Sequence, residues 1–224
     1  MSGDPPLLVQ PGVRDGSPVA TASPPREAAR RDNWFMALPW DFHPVRGPRV
    51  TLDLLRDDDL EALYALQSNS EVCRYLLYEA RSREKVAEVL TRDAGATRLE
   101  NPGDFVQPAI RDEDGHFVGT MYFHLTSADD RTAEIGWILA PTSQGKGYAT
   151  EAALVLLKLA FGKLALHRVY AELDPRNAAS VAICERLGMR HEAHFIEHMW
   201  LKDEWTDTAT YAILEREWAV PPGV

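Results

Sequence analysis

Residues 133–149, AEIGWILAPTSQGKGYA, decide the fold of this chain. Residues 134–140 form a short apolar run, rich in β-branched and aromatic side chains and ended by Pro141, which predicts a buried strand. A glycine-rich turn follows, and residues 150–161 have the composition of a helix. This order predicts an anion site, because the first amides of a helix lack intrahelical partners and the helix dipole is positive there.

The turn does not match either common nucleotide-binding motif. Ala140 stands where a P-loop needs its first glycine, and Gly147 follows Lys146 where that motif needs Ser or Thr. The sequence GKGYA also lacks the spacing of a dinucleotide fingerprint. Taken alone, the turn therefore fits either an anion site or a merely structural turn.

Four motifs in this order resemble those of the GNAT N-acetyltransferases. They are QGKGYA at 144–149, which matches the signature Q/R-x-x-G-x-G/A, the N-x-x-S segment within DPRNAAS at 174–180, LGM at 187–189, and YAILEREW at 211–218 as the last strand. The chain is most similar to the branch that contains the ribosomal-protein N-terminal acetyltransferases, and the resemblance spans about residues 47–218.

The resemblance implies an α/β fold of the GNAT type. A mixed, mostly antiparallel central sheet of six to seven strands would be flanked by helices and splayed between two central parallel strands, here 133–140 and 167–174. The alternation of strands and helices in the second half of the chain independently indicates an α/β class. Around this core we expect strands at 47–55, 105–111 and 117–125, helices at 71–77, 82–94 and 177–187, and a final hairpin of 190–202 with 206–217.

The domain organisation follows from changes in composition. Residues 1–33 are rich in Pro, Gly and Ser and predict a disordered tail. Residues 34–46 carry Trp, Phe and other large apolar side chains, so we expect this segment to pack on the domain, on a second subunit of a homodimer, or at the mouth of the substrate site. The family resemblance implies an acetyltransferase domain at 47–218, and we expect 219–224 to form a C-terminal tail.

Composition and charge narrow the range of partners. The chain has 224 residues, of which 45% are hydrophobic, and a formal net charge of −10, which argues against nucleic acid and is compatible with a cationic amine substrate. Cys73 and Cys184 are far apart in helix-like segments and suggest neither a disulfide framework nor a thiolate metal site. No apolar run reaches about 18 residues, so we expect no membrane span and a cytoplasmic location.

The resemblance also implies acetyl-CoA as the co-substrate, an amine as the acceptor and no metal. Backbone groups of the central strand would bind the pantetheine and the thioester carbonyl, the amides of the turn would bind the pyrophosphate, and a helix-start asparagine would contact CoA. The residues that this implies are Ile138, Leu139, Ala140, Gln144, Gly145, Lys146, Gly147, Tyr148, Ala149, Thr150 and Asn177.

Three residues are candidates for the chemistry of acetyl transfer. Glu134 is a carboxylate at the start of an apolar strand, where partial desolvation would raise its pKa into the range of a general base. Glu197 is the rival base, since some members of the family use a carboxylate on the penultimate strand. Ser180 shares a helix face with Asn177, and the resemblance places it near the CoA sulfur as an acid to the thiolate. Alternatively, Glu134 is an exposed strand-end glutamate, and Asn177 caps the helix while Ser180 points outward without a role.

Other side chains allow only general expectations. Strand spacing predicts that His194 and His198 share one face about 13 Å apart, with His191 on the other face, which does not suit a metal site. The tryptophans Trp137, Trp200 and Trp205 are expected in the core or the cleft wall.

The sequence thus predicts an N-acetyltransferase that works by direct attack of an amine in a ternary complex. The acceptor is either a protein N-terminus or a small amine. The alternative is a non-catalytic module that binds acyl-CoA.

Overall fold

The computed structural model describes residues 38–219. The proposed tail at 1–33, residues 34–37 of the aromatic segment and residues 220–224 lie outside this range. Within it, Trp40 and Phe42 are buried in the main core and contact each other edge to face, so the described part of the aromatic segment packs on the domain as expected. No helix in the described range is both long enough and apolar enough to cross a membrane.

The described part of the chain alternates strands and helices through its second half. Its five α-helices are α1 (Leu60–Gln67), α2 (Ser70–Cys73), α3 (Arg83–Gly95), α4 (Tyr148–Lys158) and α5 (Ala178–Arg186). Its strands are β1 (Trp40–Asp41), β2 (Val45–Arg46), β3 (Thr51–Asp53), β4 (Arg98–Leu99), β5 (Phe105–Val106), β6 (Ala109–Arg111), β7 (Phe117–Ser127), β8 (Thr132–Leu139), β9 (Arg168–Leu173), β10 (Arg190–Leu201) and β11 (Glu204–Leu214).

One mixed sheet organises the domain. Its strand order is β10-β11-β9-β8-β7-β6-β3-β2, with β5 also paired to β7, while β1 and β4 form a separate pair. The β8–β9 pair is parallel and the other pairs are antiparallel, which confirms the predicted mixed, mostly antiparallel sheet. The main sheet has nine strands. It exceeds the expected six to seven partly because Pro108, which has no N–H for the ladder, lies between β5 and β6 where one strand was expected.

The two central parallel strands separate soon after they begin. Residues Thr132, Ala133 and Glu134 of β8 pair with Arg168, Val169 and Tyr170 of β9, and the pairing ends there. Strand β8 stays paired with β7 as far as Leu139, opposite Gly119. A Cβ on Gly119 would lie 2.2 Å from the carbonyl oxygen of Ile138, so only glycine lets β8 follow β7 this closely. The carboxyl half of β8 therefore bends away from β9 and opens a gap in the sheet.

Two apolar clusters cover the two faces of the sheet. Side chains of α4 pack against inward residues of β7, β8 and β9, such as Phe123, Ile135 and Val169, in the main core. On the opposite face, α1 and α3 bury a smaller cluster that includes Leu63 and Leu90. Each fully buried large side chain contributes about 1.5–3 kcal/mol relative to exposure.

Helix starts follow the sequence signals. Ser82 Oγ accepts the Lys85 amide at 3.3 Å, and Asn177 Oδ1 accepts the Ser180 amide at 3.2 Å. Helix α2 is shorter than the predicted 71–77. The Lys202 ammonium donates to the carbonyl oxygen of Cys73, the last residue of α2, and to those of Arg74 and Leu76 just beyond it. This cation at the helix C-terminus ends α2 and ties the β10–β11 turn to it.

Candidate active site

The glycine turn presents a row of backbone donors. Gly145 and Gly147 have φ values of 73° and 84°, a left-handed conformation that favours glycine, and Gly147 is the N-cap of α4 without a side-chain cap. Within the described residues, the amides of Gly145, Lys146 and Gly147 donate no hydrogen bond, and the first amides of α4 have no intrahelical acceptor. These donors, at the positive end of the α4 dipole, fit a pyrophosphate.

Gln144 has a different position from the rest of the turn. Its side-chain Nε2 donates to the Leu139 carbonyl oxygen at 3.2 Å, and its amide donates to the Pro141 carbonyl oxygen at 3.3 Å. Gln144 therefore fixes the end of β8 to the turn. The amides that are open to an anion begin at Gly145.

The gap in the sheet leaves one edge of β8 without a strand partner. From Ile135 to Leu139 this edge has no pairing with β9, and Ala140 continues past it with its amide bonded to the Val118 carbonyl oxygen at 3.0 Å. The backbone groups of Ile138 and Leu139 thus face the gap or β7 alternately. An extended ligand with amide groups fits such an edge as a strand would.

Glu134 is the last residue of β8 that pairs with β9. Its side chain is 27% exposed, and its titratable neighbour is His124, whose Nδ1 is 3.5 Å from Glu134 Oε2 and has no hydrogen-bond partner among the described residues. No Arg or Lys within residues 38–219 forms an ion pair with it. Burial, and then the Glu134 charge, raises the pKa of Tyr122 and raises the pKa of Tyr170 to about 12.

A second carboxylate, Glu172, lies on the same face of the sheet as Glu134. It lies two residues beyond Tyr170, the partner of Glu134, at the point where β9 has parted from β8. It is exposed, and its Oε1 accepts the Thr210 hydroxyl at 3.4 Å. Although the residue is exposed overall, partial desolvation of its carboxylate by the side chains around it, and then the charge of Glu134, raises the pKa of Glu172.

An open cleft of about 430 Å³ is lined in part by Glu172, and we call it the β9–β11 cleft. Its lining comes from β9, β10 and β11 and consists of Arg168, Tyr170, Glu172, Glu192, Ala193, Phe195 and Thr210. Arg168 and Glu192 form an ion pair at 2.6 Å, and Glu192 also pairs with Arg190. The other carboxylate of the lining, Glu192, is thus paired with two arginines, whereas Glu134 and Glu172 form no ion pair with an arginine of residues 38–219.

The helix α5 meets the other side of the gap through Ser180. Its Oγ accepts the indole Nε1–H of Trp137 at 3.3 Å, which joins the start of α5 to the carboxyl half of β8. Because Trp donates only, the Ser180 hydroxyl proton stays available to another acceptor. Asn177 uses its side-chain oxygen as the helix cap. The two residues lie together at a helix start, as the N-x-x-S segment predicts.

The face assignment of the three histidines is wrong. The rings of His191 and His194 are 6.5 Å apart, whereas His198 stacks on Phe195 and its Nδ1 is 3.0 Å from Thr208 Oγ1. The reason is two irregularities of β10, between His191 and Ala193 and between Phe195 and Met199, each of which shifts the register. Among the described residues, His and carboxylate side chains lie close enough to hold a metal ion only at Asp112, Asp114 and His116, on an exposed turn.

Glu197 lies within the second irregularity of β10. Its φ is 48°, its amide donates to Asp207 Oδ1 at 2.8 Å, and its side chain is exposed. The structure therefore places the two candidate bases differently, with Glu134 half-buried at the gap and Glu197 on the surface of the edge strand. Trp200 and Trp205 are also exposed, at 59% and 55%, so their expected place in the core or cleft wall is wrong. Trp137 is half-buried.

Sequence reasoning missed several residues of the site. Tyr122, His124 and Glu172 face the gap from neighbouring strands, and their alternation along β7 and β9 would have placed them on the face of Glu134 once the strand register was known. Arg49 reaches the turn from a segment about a hundred residues away and gives no local signal. The sequence-predicted residues are brought together in two groups, the turn with the end of β8, and Asn177 with Ser180.

A parallel strand pair that splays in front of a glycine turn and a helix start defines the class of acyltransferases that use acyl-CoA. Residues 49–190 match the family model described as an acetyltransferase (GNAT) domain. The chain belongs to the GNAT family and is an acetyl-CoA-dependent N-acetyltransferase.

Known proteins agree with this assignment. The chain is 38% identical over 166 residues to an uncharacterized N-acetyltransferase, YnaD, of Bacillus subtilis, covering 71% of this chain and 90% of that protein. It is similar to a GNAT acetyltransferase structure from Bacillus anthracis, with a TM-score of 0.71, 30% identity, and coverage of 78% and 100%. A spermidine N-acetyltransferase from Vibrio cholerae, solved with CoA and spermine, shares the fold with a TM-score of 0.64, 24% identity, and coverage of 75% and 96%.

Proposed function

We propose that this protein transfers the acetyl group of acetyl-CoA to a primary amine by direct attack, with Glu134 as the general base. The observation that carries the proposal is the position of Glu134. It is half-buried at the fork of β8 and β9, pairs in the sheet with Tyr170 of the cleft lining and has no Arg or Lys partner among residues 38–219. Such a carboxylate is suited to take a proton from an incoming ammonium, directly or through one water.

The reaction balances with the groups at the gap. The ammonium gives a proton to Glu134, the amine nitrogen forms a bond to the thioester carbon, and the C–S bond breaks to give an amide and a thiolate. Backbone groups of Ile138, Leu139 and Ala140 would hold the pantetheine and polarise the thioester carbonyl. The amides from Gly145 to Thr150 would hold the pyrophosphate, with Gln144 fixing the turn to the end of β8 and Asn177 as a further CoA contact. Ser180 would give its proton to the thiolate and take the second proton that the nitrogen loses as the amide forms, so that the two protons released end on Glu134 and on the CoA thiol.

The acceptor is proposed as a cation before it reacts. Glu134 and Glu172 give the cleft negative charge without a matching arginine, and the relative from Vibrio cholerae was solved with a polyamine. The opening over β9 to β11 also admits the end of a peptide, in line with the branch resemblance. Both acceptor classes, a protein N-terminus and a small amine, therefore belong in the test.

The test combines calorimetric titration with acetyl-CoA and a thiol-release assay on a panel of amines, including a peptide with a free N-terminus and a linear diamine. Glu134→Gln should lower kcat by roughly 10²–10⁴, the usual contribution of a general base, and leave the acetyl-CoA affinity unchanged. Glu197→Gln is the matched control and should change kcat less than about twofold, because a surface charge without a partner has little influence.

Three results would contradict parts of this proposal. A large loss in Glu197→Gln with none in Glu134→Gln would move the base to β10. Wild-type protein that binds acetyl-CoA and turns over none of the amines would support the non-catalytic acyl-CoA-binding module. Wild-type protein that does not bind acetyl-CoA would remove the cofactor site.

A further inference from the structure

Arg49 brings a guanidinium to the glycine turn from the strand region at the start of the domain. Its Nη1 donates to the Lys146 carbonyl oxygen at 3.2 Å, and its Cζ lies 5.5 Å from the centre of the Tyr148 ring. A Cβ placed on Gly147 would be 3.3 Å from Arg49 Nη2. The guanidinium therefore lies directly beside the N-cap of α4, where the turn amides are open to an anion.

A buried carboxylate of α4 holds this arginine in place. Glu151, in the first turn of the helix, is 7% exposed and accepts the Arg49 amide, the Val50 amide at 3.1 Å and Arg49 Nε at 2.9 Å. The link fixes both the backbone and the side chain of Arg49 relative to α4. The Arg49 side chain is held through its Nε and is 46% exposed as a whole.

The charges explain why an arginine is needed at this place. A carboxylate near a helix N-terminus is stabilised by the helix dipole, but it would also repel a phosphate bound at the same terminus. The Arg49 ion pair offsets the charge of Glu151. Nη2 forms no hydrogen bond with any described residue, so the guanidinium has donors left for a second acceptor. Planar guanidinium donors match phosphate oxygens well.

We infer that Arg49 binds the pyrophosphate of acetyl-CoA, and that Glu151 is the positioning residue that aims it. The inference rests on the proposed function, because it adds a side-chain ligand to a cofactor site that is otherwise built from backbone. It assigns the contact to the pyrophosphate and not to the 3′-phosphate, since Arg49 lies at Gly147 and Tyr148, where the helix amides begin.

The test measures the Kd of CoA and of 3′-dephospho-CoA by calorimetry for the wild type, Arg49→Gln and Arg49→Lys. Arg49→Gln should raise the Kd of both ligands by the same factor, about 10- to 100-fold, which is the range of one strong charge-assisted contact. Arg49→Lys keeps the charge without the planar fork and should raise both values about 3- to 10-fold. Arg46→Gln is the control, because Arg46 is an exposed residue of β2 whose side chain pairs with no described residue. This substitution should leave the Kd of both ligands unchanged.

The outcomes separate this inference from the proposed function. An unchanged Kd in Arg49→Gln, while the wild type binds, overturns the role of Arg49 alone. A loss with CoA that disappears with 3′-dephospho-CoA overturns the assignment to the pyrophosphate. Wild-type protein that binds neither ligand overturns the inference together with the proposed function. Because Arg49 also anchors Glu151, thermal unfolding is measured for each variant, and Arg49→Lys provides the affinity comparison if Arg49→Gln does not fold.

Discussion

The two sides of the gap in the sheet differ in that one presents mainly backbone groups and the other mainly side chains. On the cofactor side, the end of β8, the glycine turn and the start of α4 present mainly backbone groups, and their geometry is fixed by φ values at Gly145 and Gly147. On the proposed acceptor side, β9, β10 and β11 present side chains, among them Glu172, Phe195 and Thr210. A site built from backbone groups tolerates many substitutions, except at the glycines where an added Cβ would block the ligand. A site built from side chains changes with each substitution. The family can therefore keep one cofactor and vary the acceptor.

The largest effect is expected where a side chain enters the backbone site. Gly147→Asp adds a Cβ at a φ of 84° and a negative charge at the N-cap, next to the proposed pyrophosphate. Like charges in contact cost several kcal/mol, so the Kd of acetyl-CoA should rise at least roughly 100-fold in calorimetry. Gly115→Asp on the β6–β7 turn is the control, because Gly115 has a similar φ of 83° and open space around it. A weak effect at 147 would mean that the turn is only structural.

An intermediate effect is expected for substitutions of the side chains that line the cleft over β9, β10 and β11. Glu172→Gln should raise the KM for a cationic acceptor about tenfold at neutral pH and leave the Kd of acetyl-CoA unchanged, since it removes one unpaired charge of the cleft. Glu192→Gln is the matched control, because Glu192 lines the same cleft but is already paired with Arg168 and Arg190. An equal rise in both variants would show that only the net charge of the cleft matters.

The pH dependence sharpens the same prediction. Burial and the charge of Glu134 raise the pKa of Glu172, so as the pH falls its charge is lost at a higher pH than for an ordinary glutamate. The ratio of the KM of Glu172→Gln to that of the wild type should therefore shrink toward one as the pH falls through this raised pKa. A ratio that stays constant with pH would contradict a charged role for Glu172.

The smallest effect is expected at Ser180, which lies between the two sides. Ser180→Ala removes one hydroxyl from the proposed thiolate site and should lower kcat about threefold, in line with the 0.5–1.5 kcal/mol of a single neutral hydrogen bond. Trp137→Phe breaks the same Trp137–Ser180 hydrogen bond but keeps the hydroxyl, and kcat should then be retained. A loss of equal size in both variants would mean that Ser180 only positions α5. Steady-state kinetics with saturating acetyl-CoA distinguish these results.

The comparison also explains how much of the molecule could be predicted. The strand, turn and helix around Gly147 follow from local sequence, because glycine positions and helix starts are local properties, and the splay followed from the family resemblance. Arg49 and Glu172 could not be found in this way. Arg49 meets Glu151 only after the chain has folded, and the place of Glu172 depends on the register of β9 against β8.

The edge hairpin marks a second limit of local reasoning. A side chain changes face when a strand gains one residue, so the irregularities of β10 overturned the alternation that had placed His191 opposite His194. Trp200 and Trp205 pack edge to face on each other and stay exposed, although their size alone favours burial. Neither feature has a signal within a few residues of sequence.

Gly119 has a consequence for anyone who would redesign this sheet. By residue propensity, a glycine within a long strand is a weak position that a larger β-former should improve. Here the missing side chain makes room for the Ile138 carbonyl on one flank of β8, and so sets the width of the opening on its other flank. A residue of β7 thus influences the size of the gap beside β8, although it does not line that gap itself. Optimising this position for sheet stability would narrow the very opening that the enzyme needs.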